Sequence, residues 1–178
     1  KDVSRLDLSE LGDLTGLPSC DVAFLCAAET RLATCRNDLT ATALINVVAP
    51  VTIARHLVGR GCFVIFLSSN AVFDGAVPHR SADSPMCPTT PYGEQKAAAE
   101  RQILGLGNSV AVLRLTKVLT PTLALFKGWI EALKNGREIT PFRDMVMAPV
   151  PVSLVTEALA RIAEQRAGGI FQASASRD

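Results

Sequence analysis

Three side chains in the middle of the chain have the types and the spacing needed for proton transfer. Ser69 follows the apolar run Phe63–Leu67, which predicts a buried strand. Tyr92 and Lys96 stand four residues apart in a segment rich in Ala, Glu, Gln and Lys, so on the predicted helix they share one face. A free tyrosine titrates near roughly 10, and a lysine ammonium one turn away should lower that pKa toward neutrality. A hydroxyl at the strand end could hold the substrate oxygen that exchanges a proton with the tyrosine.

The spacing of tyrosine and lysine is weak evidence by itself, because polar pairs mostly lie on solvated helix faces. The surrounding sequence is more specific. LSSNAVFDG at residues 67–75, followed by PYGEQKAAAE at residues 91–100, closely resembles the extended short-chain dehydrogenase/reductases. Within them it is most similar to the dTDP-4-dehydrorhamnose reductase branch and other sugar-nucleotide reductases. The resemblance runs from about Asp7 to about Ala173, nearly the whole chain.

The resemblance implies an enzyme that uses NADP or NAD to reduce a keto group of a nucleotide-activated sugar. It implies that Tyr92 gives or takes the proton, that Lys96 tunes it and holds the nicotinamide ribose, and that Ser69 orients the keto oxygen. Asn46 matches an asparagine that supports the catalytic lysine, often through water. Epimerase and dehydratase outcomes stay open, since the same residues serve them. A second hypothesis is a non-catalytic regulatory or binding module, because some similar proteins are regulatory subunits and a fold does not fix a function.

The resemblance also implies the cofactor contacts. Asp7 and Leu8 match the place where an acidic residue after the third strand meets the adenine. Ala27 and Ala28 match small residues that let the chain pass close to the ribose and the diphosphate, and Leu115 matches a contact near the nicotinamide. An equally weighted alternative is that Asp7 caps a short helix at residues 9–17, since Asp is a good N-cap residue.

On the substrate side, the resemblance points to Ser69, Asn70 and Lys117, which we expect to line one cleft with Tyr92. Asn70 stands where the similar reductases usually carry an aspartate, and Lys117 replaces an aromatic residue near the nicotinamide. Because a lysine could face an anionic group, these departures leave the identity of the sugar open. The expected partner is therefore a nucleotide-sugar substrate of unspecified base and sugar.

Strands and helices alternate along the chain, which predicts an α/β fold with a doubly wound parallel sheet of the Rossmann type. The predicted domain boundaries are a partial core at 1–122 and a partial substrate lobe at 123–178, interleaved with the last core strands. A proline at position 50 should kink the long helix predicted at 38–60. The predicted strands and extended pieces are Val3–Leu6, Asp21–Cys26, Phe63–Leu67, Val110–Leu115, Ile139–Phe142, Val146–Ala148 and Ile170–Ala173, and the other predicted helices begin at Tyr92, Leu123 and Val152.

A glycine-rich turn between a first strand and a first helix, the usual signature of a dinucleotide site, does not occur in this sequence. Since Asp7 matches the end of the third strand, the opening β-α-β unit of the similar proteins has no counterpart in the chain. Such a unit takes at least about 30 residues. We therefore expect the sequence to be part of a longer polypeptide.

The amino-acid composition limits the class of protein and the kinds of partner that we expect. The chain has 178 residues, of which 48% are hydrophobic and 20% charged, which is typical of one compact α/β domain. A net charge of +1 gives no reason to expect nucleic acid as a partner. We find no apolar run near the roughly 18 residues of a membrane helix, so we expect no membrane partner. Five cysteines without a C-x-x-C pair, and only two histidines, disfavour a metal site and favour free thiols in a reducing cytoplasm. The oligomeric state stays open, with a homodimer as the assembly to test.

Overall fold

The computed structural model describes residues 6–120, 123–140 and 148–175. Strands and helices alternate through most of this part of the chain, as the sequence predicts. The strands are β1 (Val22–Leu25), β2 (Phe63–Ser69), β3 (Val110–Leu115), β4 (Val118–Leu119), β5 (Val150–Pro151) and β6 (Gly169–Ala173). The helices are α1 (Leu32–Asn37), α2 (Leu39–Ala43), α3 (Ala49–Gly59), α4 (Pro91–Leu104), α5 (Ala124–Lys134) and α6 (Val152–Gln165).

Four of the strands form one parallel sheet in the order β1-β2-β3-β6. The register places Ser68 of β2 beside Arg114 of β3, and Arg114 beside Gln172 of β6. Because all four strands run the same way, their carboxyl ends meet at one edge of the sheet, which is where ligands bind in open α/β sheets. The predicted parallel α/β fold of the Rossmann type is confirmed.

The sheet is covered on both faces, which explains why its central strands are mostly apolar, with Ser68, Ser69 and Arg114 as the exceptions. Val64 and Phe66 of β2 pack with residues of α3 and α4 in one core cluster. Phe63 and Ile65, which point to the opposite face, pack with Val155 and Ile162 of α6 in a second cluster. Helix α4, which begins at the carboxyl edge of the sheet, is therefore held firmly against β2.

The long helix predicted at 38–60 is present, but Pro50 is accommodated without ending it. Residues Leu44–Val48 form a π-helical turn between α2 and α3, and the N–H of Ala49 bonds to the carbonyl oxygen of Leu44. A proline has no N–H to donate to the residue four positions earlier, here Asn46, and its ring crowds that carbonyl. The wider π turn just before Pro50 relieves both problems.

The helical run Leu39–Gly59 has the length and composition of a membrane span, with 21 residues and a hydropathy of 1.5. The prediction that no apolar run approaches the length of a membrane helix is therefore wrong. Val51, Ala54 and Leu57 on this run are buried in the core cluster beneath the sheet. Core packing therefore explains part of the apolar character, while Leu39, Leu44 and Val48 on the same run are exposed.

Two local predictions differ from the structure. Residues 9–17 form turns and not a helix, because the Asp7 carboxylate accepts bonds from the N–H and hydroxyl of Ser9, and Asp13 binds Thr15 in the same way. The alternative of Asp7 as a helix cap is thus wrong. Helix α1 was not predicted, and neither was the short pairing of β4 with β5. Three predicted extended pieces lie mostly outside the described residues. They are Val3–Leu6, Ile139–Phe142 and Val146–Ala148. The domain boundaries at 1–122 and 123–178 stay a prediction.

Candidate active site

Ser69 and Tyr92 meet where β2 ends and α4 begins. The hydroxyl of Ser69 caps a short 3₁₀ turn at Asn70–Val72 by accepting a bond of 3.2 Å from the N–H of Ala71. The start of α4 is fixed by Thr90, whose hydroxyl accepts a bond of 3.1 Å from the N–H of Gly93. These two caps bring the Tyr92 phenol within hydrogen-bonding reach of Ser69.

Gly93 allows this close approach, a role that the sequence analysis missed. A Cβ atom at this position would collide with the backbone carbonyl of Ala71. The first turn of α4 therefore packs directly on the 3₁₀ turn that follows Ser69. A glycine in the first turn of a helix otherwise rich in alanine was the signal in the sequence.

The pKa of Tyr92 is raised from its ordinary value, which differs from the expectation that Lys96 would lower it. Burial of the phenol is the largest cause, the hydrogen bond with Ser69 opposes it, and the nearby Cys35 adds a smaller increase. Lys96 is not among the causes. The phenol therefore carries its proton at neutral pH and is set up as a donor.

Lys96 is directed into the sheet. Its Nζ atom donates a bond of 2.6 Å to the carbonyl oxygen of Leu67 and lies 3.8 Å from the centre of the Phe66 ring. The side chain is only 2% exposed, and burial lowers its pKa to about 8, although Glu100 and Cys26 act in the opposite direction. Within the described part of the chain, its hydrogen bond goes to the backbone of β2 and not to Tyr92.

Asn46 lies in the π turn and connects it to the segment after β1 and to helix α4. Its Oδ1 accepts a bond of 2.9 Å from the N–H of Glu29, and its Nδ2 donates to the Glu29 carbonyl at 2.9 Å and to Oε1 of Gln95 at 2.8 Å. Gln95 in turn donates a bond of 2.8 Å to the hydroxyl of Thr42. Asn46 thus reaches α4 through Gln95, which the sequence analysis did not single out. Its support of Lys96 through water stays a prediction.

A buried ion pair joins α4 to β3 one turn beyond Lys96. The guanidinium of Arg114 donates to both carboxylate oxygens of Glu100 at 2.7 to 3.1 Å, and the two side chains are 2% and 0% exposed. Arg114 also donates to the carbonyl of Ala82 at 3.0 Å and lies 5.1 Å from the centre of the Phe73 ring. This pair therefore ties the loop after β2 to the core.

A cavity of about 400 Å³ opens at the carboxyl ends of β2, β3 and β6. Of the residues predicted to contact the substrate or cofactor, it contains Asn70 and Leu115. Ser69 and Tyr92 are not among its lining residues. That all four residues line one cleft stays a prediction, although Lys117 is exposed and lies outside this lining. The reason lies in the backbone, since Lys117 falls just past the end of β3, where its carbonyl pairs with the N–H of Val150. The lining residues are Asn70, Phe73, Gly75, Val77, Pro78, His79, Arg80, Arg114, Leu115, Thr116, Ala148, Gln172, Ala173 and Ser174.

A second, smaller cleft of about 260 Å³ brings together the residues predicted to contact the adenosine end of a cofactor. Asp7 and Leu8 face Ala27 and Ala28 across it, with Ser9, Glu29 and Ile45 completing the lining. The small alanines at the end of β1 leave this space open. The side chain of Arg31 holds the Glu29 carboxylate at 2.7 to 3.0 Å and lowers its pKa to about 2, so Glu29 stays ionised within an ion pair.

The family model for the RmlD substrate binding domain matches residues 2–177. The chain belongs to this family. The resemblance to the extended short-chain dehydrogenase/reductases is thereby confirmed for nearly the whole length of the sequence.

Among curated proteins, the chain is similar to methionine adenosyltransferase 2 subunit beta of Xenopus tropicalis, with 39% identity over 90 residues. That match covers 51% of this chain and 27% of the relative, so it spans well under half of the relative's length. The RmlD-type chain described here is thus related in sequence to a protein named as a subunit of another enzyme.

Among solved structures, dTDP-4-dehydrorhamnose reductase of Bacillus anthracis in complex with NADP superimposes with a TM-score of 0.81 at 20% identity. The alignment covers 86% of this chain and 56% of that one. MoeE5 in complex with UDP-glucose and NAD gives a TM-score of 0.82 at 26% identity, with coverage of 96% and 62%. The fold is thus shared with NAD(P)-binding sugar-nucleotide enzymes, and the chain spans somewhat more than half of their length.

Proposed function

We propose that this chain contributes the catalytic part of an NAD(P)-dependent reductase that acts on a keto group of a nucleotide-activated sugar. The observation that carries the proposal is the placement of Tyr92, at the start of α4, next to Ser69, at the end of β2, on the edge of the sheet where a cavity of about 400 Å³ opens. A fold common to many functions does not support this by itself, but a proton donor placed next to a hydroxyl at the carboxyl ends of the strands does.

The proton step follows from the state of Tyr92. Because burial raises its pKa, the phenol is protonated at neutral pH and can donate to a keto oxygen that becomes an alkoxide during reduction. Ser69 lies beside the phenol and can donate a second hydrogen bond to the same oxygen. Lys96, whose pKa burial lowers to about 8, lies one helical turn beyond Tyr92 and donates its hydrogen bond to the Leu67 carbonyl of β2.

The residues present fit parts of a nicotinamide dinucleotide. The small cleft around Ala27 and Ala28 has room for an adenosine, and Asp7 at its rim offers a carboxylate to ribose or adenine groups. Leu115 at the end of β3 lines the larger cavity and offers an apolar surface for the nicotinamide. Within the residues that the structure describes, no glycine-rich turn connects a strand to a helix to receive the diphosphate. When bound, the nicotinamide supplies the hydride to the substrate carbon.

The cavity suits a polar substrate such as a sugar joined to a nucleotide. Asn70 lies next to Ser69, with 3.5 Å between the Ser69 hydroxyl and the Asn70 Oδ1 atom, and offers amide groups to sugar hydroxyls. Arg80 and Gln172 provide further hydrogen-bonding groups at the wall. MoeE5, which has the same fold, is known with UDP-glucose bound, and this likeness supports a nucleotide sugar as the substrate class.

Mixing the protein with NADPH or NADH and a keto sugar nucleotide, with dTDP-4-dehydrorhamnose as the first probe, tests the proposal. We expect loss of absorbance of the reduced nicotinamide and formation of the reduced sugar. Tyr92→Phe should abolish most of this turnover while keeping cofactor affinity, measured by isothermal titration. If the wild-type protein binds NADPH or NADH tightly and oxidises neither with any keto sugar nucleotide, the reductase proposal fails.

A non-catalytic regulatory subunit is the second candidate. The 39% identity to methionine adenosyltransferase 2 subunit beta favours it, because that protein is named as a subunit. Co-purification with a methionine adenosyltransferase catalytic subunit, together with no turnover of keto sugars, would support this alternative. Turnover that depends on Tyr92, without such association, would support the reductase.

A further inference from the structure

Two cysteines lie in close contact at the edge of the sheet opposite the candidate active site. Cys20 precedes β1 and Cys62 precedes β2, and their Sγ atoms are 2.8 Å apart although the residues are 42 positions apart in sequence. Both are free thiols. Neither has any role in the proton chemistry at the carboxyl ends of the strands.

The backbone around the two cysteines is held by several independent bonds. The carbonyl of Asp21 accepts a bond of 2.9 Å from the N–H of Phe63 and a bond of 2.7 Å from the guanidinium of Arg166. The strand register then pairs Val22 with Phe63. Because adjacent strands run about 4.8 Å apart, residues at their starts are within the Cα spacing that a disulfide requires. The sulfur atoms need to approach by only about 0.8 Å to reach a disulfide bond length.

The two thiols differ in access. Cys20 is exposed, so a small oxidant can reach it, whereas Cys62 is 1% exposed and is shielded by the core. Burial and the contact with Cys20 raise the pKa of Cys62 to about 12, and the charge of Arg166 acts against this increase. An exposed thiol backed by a buried one is the arrangement in which a mixed disulfide on the first can be resolved by the second.

We infer that Cys20 and Cys62 form a reversible thiol–disulfide site that responds to a small disulfide such as oxidised glutathione. The Cys20 thiolate attacks one sulfur of oxidised glutathione, forms a mixed disulfide and releases one glutathione thiolate. The Cys62 sulfur, on losing its proton, attacks Sγ of Cys20, and the second glutathione leaves as a thiolate. In total two protein thiols lose two electrons and two protons, and one glutathione disulfide is reduced to two glutathione thiols.

The crosslink would fix the outermost described strand of the sheet. β1 pairs with β2 on one side, and Phe24 in its centre is 45% exposed. At the far end of β1 the chain continues to Ala27 and Ala28, which line the smaller cleft. A disulfide at the start of β1 therefore stabilises the strand that leads to this cleft.

Titration of the whole, reduced protein with graded mixtures of oxidised and reduced glutathione tests the inference. After free thiols are blocked with N-ethylmaleimide, digestion without reduction should yield one peptide pair that joins Cys20 to Cys62, about 2 Da lighter than its reduced parts. The oxidised monomer should show a melting temperature higher by roughly 5 to 10 °C and slower amide hydrogen exchange in β1. Dithiothreitol should reverse all three changes.

Two single variants provide the controls. Cys20→Ser, at an exposed position, should lose the crosslink and the shift in melting temperature, while Cys26→Ser, which removes the other exposed cysteine, should keep both. A stable glutathione adduct on Cys20 with Cys62 still free would overturn the inference. So would a crosslink that joins Cys20 to Cys26 or Cys87, or one that joins two protein molecules. The peptide map of the wild-type protein decides this even if a variant fails to fold.

Discussion

The side-chain amide of Asn46 donates a hydrogen bond of 2.8 Å to Oε1 of Gln95, the residue immediately before Lys96. The same side chain holds both the N–H and the carbonyl of Glu29, which follows β1. The chain segment that lines the smaller cleft and the helix that carries Tyr92 are thus joined through one buried amide. Asn46 acts as a positioning residue, since its described contacts are with protein groups.

Replacing Asn46 by Ala should destabilise the protein by about 1 to 3 kcal/mol, because the backbone of Glu29 and the side chain of Gln95 lose buried partners. Urea unfolding followed by circular dichroism measures the change. Asn37→Ala at the exposed end of α1 is the matched control and should change the free energy of unfolding by less than about 0.5 kcal/mol. Equal effects of the two substitutions would contradict the role assigned to Asn46.

Removing the carboxylate of Glu100 should be among the most damaging single changes. Glu100→Ala leaves the buried Arg114 guanidinium without its charge partner, and breaking such a pair costs roughly 3 to 5 kcal/mol. Glu157→Ala is the matched control, because Glu157 forms an exposed i,i+4 pair with Arg161 that should contribute well under about 1 kcal/mol. Chemical denaturation of both variants provides the comparison, and a small loss for Glu100→Ala would show that Arg114 finds another partner.

Lys96 should make stability depend on pH in alkaline solution. Its pKa falls from 10.5 to about 8 on folding, so between these values the unfolded chain binds more protons than the folded one. We compare the free energy of unfolding of the wild-type protein with that of a Lys96→Met variant. The wild-type value minus the variant value should rise with pH across this window, by about 3 kcal/mol in total. Below pH 8 the lysine is charged in both states and the difference should be flat. Other groups titrate in both proteins, so the difference between the two curves isolates Lys96.

Tyr92→Phe should reduce turnover of the keto sugar by a factor on the order of 10² or more, because the proton donor is lost while the ring remains. Affinity for the reduced cofactor should change little. Stopped assays of product and isothermal titration with NADPH measure the two quantities separately. Near-normal turnover in this variant would show that another group donates the proton.

Asn70 and Lys117 should differ in their effect on substrate binding. Asn70→Ala removes hydrogen-bonding groups from the cavity wall and should raise KM by roughly 2- to 12-fold, the range expected for one lost hydrogen bond. Lys117→Ala should leave KM nearly unchanged, because that side chain is exposed and outside the lining. A larger effect at Lys117 than at Asn70 would restore the earlier expectation that Lys117 selects the substrate.

Much of the fold could be predicted because short apolar runs in the sequence indicate the core strands. β3 was predicted at its observed bounds, since VAVLRL is apolar except for Arg114 and has the length of a buried strand. Residues 9–17 could not be assigned by the same means. There the carboxylates of Asp7 and Asp13 bond to nearby backbone, and local bonds of that kind compete with helix formation.

Part of the candidate site could be predicted because its residues are near one another in sequence. Ser69, Tyr92 and Lys96 are close in sequence and belong to one strand-to-helix connection, so spacing sufficed to bring them together. The partners of Asn46 and Arg114 depend on contacts across the fold, and no periodicity indicates that Gln95 lies against a residue 49 positions away. The direction of the Tyr92 pKa shift depends on how deeply the phenol is buried, and the spacing of residues in the sequence does not indicate this.

The π-helical turn at Leu44–Val48 makes this region sensitive to the loss of a single residue. A π turn holds one residue more than an α turn, so it resets the angular phase of the helix by about 100°. Deleting one residue here would rotate everything upstream relative to α3. It would also place Pro50 in a regular α-helical turn, where it has no N–H to donate and its ring crowds a carbonyl. Asn46 and Thr42 would turn away from Gln95, and the core contacts of Val51 and Leu57 would stay in place. A single-codon deletion in this segment is therefore expected to disconnect the amide network from α4 and also to destabilise the helix at Pro50, by about 3 kcal/mol or more.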